Sequence, residues 1–146
     1  MALIKKPSDA NSDIENVDPK TLLLHPDNPR QGDIGAIVTS IEENGWFGTL
    51  VVQRKTNRVL AGNHRLQAAI ALDMNTVPVY WVDVDDTEAQ RILIADNRTS
   101  DLATWDDNIL ASLLESLAVN NELLGSGYDG DDLDQLLADL TYDLEE

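Results

Sequence analysis

The 146-residue chain contains no cysteine and only two histidines. The absence of cysteine excludes disulfides, thiol catalysis and thiolate metal sites, and it is compatible with a cytoplasmic location. A zinc site would need carboxylate ligands, because His25 and His64 lie far apart in the sequence. No apolar run approaches the roughly 20 residues of a membrane span, so we expect no membrane association. The first residues also lack the apolar core of a secretory signal.

Basic residues are absent from the last third of the chain. All ten Lys and Arg lie within residues 1–98, together with fourteen acidic residues, whereas residues 99–146 carry thirteen acidic residues and no basic one. Of the net charge of −17, this C-terminal part therefore holds −13. It should repel DNA phosphates, so any direct DNA contact is expected from residues 1–98. The acidic part is either a solvated flank, or an arm that binds a basic partner protein or occupies a basic groove in place of nucleic acid.

The hydrophobic pattern predicts a small α/β (α+β) domain followed by two acidic helices. Short strands are expected near 14–17, 50–52, 59–61 and 77–82. Helices are expected from about Asp33 until Gly45 ends the first, after Gly62, and from Thr87 towards Asn97. Thr87 and Gln90 have the spacing of a capping box. From Asp106 onwards, leucines recur at helical spacing in two stretches. These patterns divide the chain into a flexible N-terminus at 1–13, an α/β domain at 14–105 and an acidic helical extension at 106–146.

The segment from Val59 to Arg65 carries the clearest chemical pattern. A strand is expected to end at Gly62, and Asn63 is expected to cap a helix whose first turn contains His64 and Arg65. The N-terminus of a helix favours anions, and a cation there costs about 0.3–1 kcal/mol unless a negative ligand compensates. The pattern predicts a phosphate bound by backbone amides, Arg65 and His64. The alternative is that Arg65 pairs with a carboxylate of the protein and that His64 is a polar core residue.

Two other segments offer weaker chemical indications. Asp96-Asn97-Arg98 supplies a carboxylate and a carboxamide, and such hard oxygen ligands suit Mg²⁺ accompanied by phosphates and water. The alternative is that Asp96 and Asn97 end a helix and form local hydrogen bonds. The segment from His25 to Arg30 contains two prolines, and it is interpreted as a connector between regular elements.

In their order along the chain, these segments resemble the N-terminal domains of the ParB/sulfiredoxin-like superfamily. The resemblance covers about residues 14–105, and it implies a small mixed sheet with flanking helices. The group includes chromosome-partitioning CTP switches, sulfiredoxins, a free-serine kinase and phage proteins known as ParB-like nucleases. The residues that carry the resemblance are Asn28-Pro29-Arg30, Ile37 to Ser40 with Gly45, Gly62 to Arg65 followed by Ala68-Ala69, and Thr87 to Arg98.

The acidic end and the residues before it are most similar to one branch of that group. Ile94 to Arg98, Trp105 and the Leu-rich C-terminal part resemble the phage and mobile-element branch. In that branch the domain often stands beside a DNA methyltransferase or is fused to one.

The resemblance also implies roles for individual residues. Gly62, Asn63, His64 and Arg65 would bind the phosphates of a nucleotide, Arg30 would lie near the nucleotide, and Asp96 and Asn97 would place Mg²⁺. Sulfiredoxin chemistry is excluded, because Asn63 stands where that enzyme needs a cysteine. Partition proteins usually carry Glu-Arg-Arg after the glycine, so ATP is considered beside CTP. They also continue into a helix-turn-helix domain that reads DNA. Residues 99–146 carry no positive charge, so we do not expect them to read DNA in that way.

Three functions are compatible with these observations. The first is a Mg²⁺-dependent CTP- or ATP-binding module in DNA transactions of a phage or mobile element, in which His64 and Asp96 are candidates for activating water if the nucleotide is hydrolysed. The second is a non-enzymatic adaptor whose acidic helices recruit a basic partner such as a methyltransferase. The third is a Mg²⁺-dependent DNA nuclease, for which only Asp96 is assigned. We expect a cytoplasmic location (that of the host for a phage protein), and a homodimer is one of the assemblies considered.

Overall fold

Four strands form one mixed sheet in the computed structural model, which describes residues 14–26 and 33–145, apart from the side chain of Glu145. The strands are β1 (Ile14–Val17), β2 (Leu50–Gln53), β3 (Arg58–Ala61) and β4 (Val77–Val82). Their order across the sheet is β1-β4-β2-β3. β4 pairs antiparallel with β1 and parallel with β2, and β2 pairs antiparallel with β3. The predicted strands and the predicted α/β class are confirmed.

Five α-helices accompany the sheet in the part of the chain that the structure describes. They are α1 (Ile34–Asn44), α2 (Asn63–Ala71), α3 (Asp86–Leu102), α4 (Asp107–Val119) and α5 (Gly130–Glu145), and a 3₁₀ turn covers Pro19–Thr21. Gly45 ends α1 as predicted, with a φ of +82° and an amide that donates to the Ile41 carbonyl at 2.8 Å. Within the described residues, no helix is both long and apolar enough to cross a bilayer.

The chain forms two compact units. The first consists of Met1–Ile34 and Phe47–Leu102, and the second consists of Gly35–Trp46 and Ala103–Glu146. Both contain segments that are distant in the sequence, because α1 from Gly35 onwards belongs to the second unit. The predicted boundaries at 14–105 and 106–146 remain a prediction.

The core of the first unit is built on the buried strands. Leu50, Val52, Val59 and Val79 are fully buried, and burial of such side chains stabilises the fold by about 1.5–3 kcal/mol each. A further buried cluster joins strand residues to α3; its members are Leu60, Val82, Val84 and Ala89, with Val51, Tyr80 and Ile92 packed against it. β3 contacts both α2 and α3. The turn at Gly62, between β3 and α2, is therefore anchored to a buried strand.

The core of the second unit is made by α4 and α5. Leu110 and Leu114 of α4 pack with Leu133 of α5 in one buried cluster. The Asp106 carboxylate accepts hydrogen bonds from the amides of Asn108 and Ile109, at 3.1 and 3.2 Å, and so caps α4. The predicted helix from Asp106 is confirmed.

The predicted capping residue of α3 is wrong by two positions. The Asp85 carboxylate accepts a hydrogen bond from the Glu88 amide at 2.8 Å, and the helix begins at Asp86, so Thr87 and Gln90 do not form the capping box. Asp85 and Glu88 have the same three-residue spacing, and Asp is the stronger cap. α3 also continues to Leu102. Asp96 and Asn97 therefore lie inside a helix, and the alternative that they end one is wrong.

Candidate phosphate site at the start of α2

Gly62 forms the turn between β3 and α2 in a conformation that favours glycine. Its φ of +96° and ψ of 25° are left-handed, and a Cβ at this position would collide with the side chain of the buried Leu50. Both the backbone conformation and the space require glycine here. Among residues 14–26 and 33–145, no side-chain hydrogen bond caps α2, and its first turn contains no acidic residue. The start of this helix is therefore open to an anion, as its N–H groups and dipole favour.

Asn63 has a structural role that differs from the predicted cap. Its side chain is 5% exposed; its Oδ1 accepts from the His25 amide at 2.9 Å, and its Nδ2 donates to the Val59 carbonyl at 2.8 Å. The cap residue is Gly62, so the prediction that Asn63 caps α2 is wrong. The carboxamide instead links the segment at His25 to the end of β3, because buried polar groups need partners. A contact from Asn63 to a phosphate would therefore use its main chain.

Arg65 is held by Phe47, in the loop before β2. Its Nη1 lies 3.4 Å from the Phe47 carbonyl oxygen, and its guanidinium carbon lies 5.7 Å from the centre of the Phe47 ring. Gly48 leaves the space for this arrangement, since a Cβ there would lie 2.5 Å from Arg65 Nη1. These contacts of Arg65 with described residues involve no carboxylate. They do not satisfy its charge, and most of its five N–H donors have no acceptor within the described part of the chain.

Three other cations of the first unit form ion pairs, in contrast to Arg65. Arg54 contacts Asp83 at 3.0 Å, Lys20 contacts Asp73 at 3.0 Å, and Lys55 contacts Asp86 at 3.5 Å. The hydrogen bond and charge of Asp73 raise the pKa of Lys20. Arg65, at the positive end of a helix, is therefore a better candidate for an anionic ligand than these three residues.

The remaining predicted site residues lie elsewhere in the chain. His64 is half-buried in the first turn of α2, and Arg30 lies outside the described residues. Asp96 and Asn97 are on α3, where Asp96 is exposed and the Nδ2 of Asn97 donates to the Leu93 carbonyl at 2.9 Å. The structure thus brings Gly62, Asn63, His64 and Arg65 together in one turn. That Asp96 and Asn97 complete the same site stays a prediction.

Asp96 and Asn97 are compatible with a bound magnesium ion if the phosphates of a nucleotide supply part of its coordination. In the described ranges, no three His, Asp or Glu side chains gather in a way that could hold a metal ion. Mg²⁺ bound with a nucleotide usually takes only one or two protein carboxylates and keeps several waters. The exposed carboxylate of Asp96 fits such a role.

The family of the chain follows from a comparison with known proteins. Residues 5–98, more than half of the chain, match the family model of the ParB N-terminal domain. The chain belongs to this family. The predicted resemblance is thereby confirmed at the level of the ParB N-terminal domain. No curated protein matches the chain.

A solved ParB structure has a similar fold. It is the crystal structure of the C-terminally truncated chromosome-partitioning protein ParB from Caulobacter crescentus complexed with CTP-gamma-S. The match has a TM-score of 0.63 and 21% sequence identity, and it covers 85% of this chain and 70% of that ParB chain. At this identity the match shows the fold, a ParB-like mixed sheet with flanking helices.

Sequence reasoning did not find the residues that support Arg65 in this ParB-like domain. Phe47 is the only phenylalanine of the chain and is 62% exposed. Phe47 and Gly48 lie eighteen and seventeen residues before Arg65, respectively, too far for any helical or strand periodicity to connect them. Two adjacent aromatic residues, Trp46 and Phe47, followed by glycine in a loop before a strand were the available indication.

Proposed function

We propose that this ParB-like domain binds a nucleoside triphosphate, CTP or ATP, at the start of α2. The observation that carries the proposal is Arg65, a cation in the first turn of a helix after the left-handed Gly62, with no carboxylate among its described contacts. Membership of the ParB N-terminal domain family and the similar fold of a ParB complexed with CTP-gamma-S support it. A triphosphate would offset the unfavourable charge at this helix end.

Each site residue has a defined part in this proposal. The amides of the Gly62 turn, the Arg65 guanidinium and His64 would contact phosphate oxygens, while Phe47 and Gly48 keep the guanidinium in place. Asp96 and Asn97 would supply oxygen ligands to Mg²⁺, which neutralises phosphate charge when it is bound. The protein would thus act by positioning and by charge neutralisation, as is general in phosphoryl-group recognition. If the nucleotide is hydrolysed, His64 and Asp96 are the groups that would orient water.

Isothermal titration calorimetry tests the binding. The full chain is titrated with CTP and with ATP, each with and without MgCl₂. We expect binding by the unmodified chain, no measurable binding by Arg65→Ala, and unchanged binding by Arg91→Ala, since Arg91 is exposed on α3. Absence of heat with both nucleotides in the presence of Mg²⁺ would reject the proposal.

The Mg²⁺ assignment has its own test. Asp96→Ala should remove the difference in affinity between titrations with and without MgCl₂, while it leaves the Mg²⁺-independent part of binding intact. Asp101→Ala, on the same helix, is the matched control. If Asp96→Ala keeps the full Mg²⁺ effect, Asp96 is not the ligand.

The proposed setting is a DNA transaction of a phage or mobile element, in the cytoplasm of the host. The family supports a role near DNA, and the charge distribution limits direct DNA contact to residues 1–98. Gel-shift titration of duplex DNA at low salt, with and without the nucleotide, measures that contact. No observation in the described residues favours the nuclease alternative, which usually needs several carboxylates around a metal pair.

A further inference from the structure

A row of apolar side chains is exposed along one face of α4. Ile109, Leu113 and Leu117 are four residues apart, a spacing that places them on the same face of a helix. Ile109 and Leu113 are each 60% exposed, and Leu117 is also exposed. Trp105, in the segment before α4, is 68% exposed, and its ring contacts the ring of Tyr128 edge-on. We call Ile109, Leu113 and Leu117 the α4 stripe. From Ile109 to Leu117 it extends over about 12 Å of the helix.

The α4 stripe is not needed for the packing of α4 on α5. That packing uses Leu110 and Leu114, which are buried with Leu133, and Ala111 is buried on the same side of the helix. α4 thus has two apolar faces, of which α5 covers one. Single exposed apolar residues are common on protein surfaces, but a continuous row on one helix face is characteristic of an interaction site.

The charge around the α4 stripe defines the kind of partner that fits it. Residues 99–146 carry thirteen acidic residues and no basic one, and Asp106, Asp107 and Glu115 belong to α4 or its cap. A second copy of this chain would bring the same charge of −13 to the contact, and like charges oppose association. A partner that is apolar along one face and basic at its flanks would satisfy both features.

We propose that the α4 stripe is the docking site for a basic amphipathic helix of a partner protein. The apolar residues of that helix, at positions i, i+3, i+4 and i+7, would cover Ile109, Leu113 and Leu117, in the manner of helix-in-groove recognition. Its Lys and Arg would face the acidic residues of this part of the chain, which speeds encounter and excludes acidic competitors. This inference does not depend on the nucleotide site.

The test uses the full chain and defined synthetic peptides. The first peptide is helical and fluorescently labelled, with Leu at i, i+3, i+4 and i+7 and Lys elsewhere. Two control peptides are used beside it: one has Glu in place of Lys, and the other has the same Lys and Leu residues in scrambled order. The full chain is titrated into each peptide, and binding is followed by fluorescence anisotropy. We expect the helical Lys peptide to bind at least ten times more tightly than the other two, and its affinity to fall as NaCl is raised. Leu113→Ser should weaken binding at least tenfold. Val119→Ser, an 82% exposed residue of the same helix outside the stripe, should leave binding unchanged.

The controls separate this proposal from its alternatives. The fluorescence of Trp105 provides a second readout, because its emission should shift to shorter wavelength when the peptide covers the ring. Trp105→Phe is the control, and it should lose this shift. Equal affinities of Leu113→Ser and Val119→Ser would show that only charge attracts the peptide, and would overturn the proposal. A homodimer that sedimentation equilibrium detects and that Leu113→Ser dissociates would overturn it as well, since a second copy would then cover the stripe.

Discussion

At the scale of single residues, Gly48 has two separate reasons to be glycine. Its φ is +88°, a left-handed conformation that costs other residues about 1–2 kcal/mol. Its missing side chain also makes room for Arg65, whose Nη1 would lie 2.5 Å from a Cβ. Gly45 nearby has a similar φ of +82°, but a Cβ there would meet no atom within 4 Å. The two glycines therefore allow the backbone cost and the steric cost to be measured separately.

Gly48→Ala and Gly45→Ala should both destabilise the chain, by about 1–2 kcal/mol in urea denaturation, because both force alanine into a left-handed conformation. Only Gly48→Ala displaces the Arg65 guanidinium. It should therefore weaken CTP or ATP binding by about tenfold or more in calorimetry, equivalent to one hydrogen bond to a charged group. Binding that is the same in both variants would contradict the steric role of Gly48.

Asn63 is expected to matter more for stability than an ordinary polar residue. Asn63→Ala would remove the two buried hydrogen bonds that the carboxamide makes with the His25 amide and the Val59 carbonyl. We expect a loss of about 2–4 kcal/mol in the free energy of unfolding, since each buried unsatisfied group costs about 1–3 kcal/mol. Asn44→Ala is the matched control, because the Nδ2 of Asn44 donates to the Gly125 carbonyl at an exposed site. If the two variants lose the same stability, Asn63 does not have the linking role described above.

At the scale of secondary-structure elements, the sequence was a good guide where local patterns decide the outcome. Strand alternation placed β1, β2, β3 and β4 correctly, and Gly45 and Asp106 marked the end of α1 and the start of α4. These features depend on neighbouring residues only. Gly62 was also identified, because a strand followed by glycine and a helix is a local pattern.

Other features depend on contacts between distant residues, and the sequence did not reveal them. The Asn63 carboxamide was predicted to cap α2. In the structure its Oδ1 instead accepts a hydrogen bond from the buried amide of His25, 38 residues away. The support of Arg65 by Phe47 is likewise non-local. The length of α3 was underestimated, because polar residues in its second half, Asp96 to Asp101, lack the apolar periodicity that predicts a helix.

The start of α3 also has a measurable response to pH. Gln53 is buried, and its Nε2 donates to the Val84 carbonyl at 3.0 Å and to the Asp86 carboxylate at 3.1 Å. This hydrogen bond, followed by the charge of Lys55, lowers the pKa of Asp86. Since the folded-state pKa lies below the unfolded one, the carboxylate stabilises the fold above a pH of about 4, and this contribution is lost as the pH falls through the folded-state pKa.

Asp86→Asn should therefore lose less stability than the unmodified chain when the pH is lowered from 6 to 3. The difference should be small, because Asp86 is exposed and solvent screens its interactions. Urea denaturation at each pH measures it, and Asp134→Asn, at an exposed position of α5, should keep the pH dependence of the unmodified chain. A steeper loss in Asp86→Asn would contradict the direction of the pKa shift.

At the scale of the whole molecule, two electrostatic effects oppose each other. Ion pairs such as Lys20–Asp73 and Arg54–Asp83 are attractive, but they are exposed, so solvent screening leaves each of them a small contribution. The 27 acidic residues, against ten basic ones, repel each other, and such self-repulsion destabilises a compact state. Salt screens both effects, so its net influence shows which one is larger.

Because acidic residues outnumber basic ones so strongly, we expect repulsion to be the larger effect. The free energy of unfolding should rise when NaCl is raised from about 20 to 500 mM, by an amount on the order of 1 kcal/mol, the energy of one close charge pair in water. Urea denaturation at the two salt concentrations measures the change, with sucrose at matched osmolality as the uncharged control. Because sucrose does not screen charges, it should raise the free energy of unfolding by less than NaCl does. A fall in stability with NaCl would mean that the exposed ion pairs contribute more than the excess of negative charge removes.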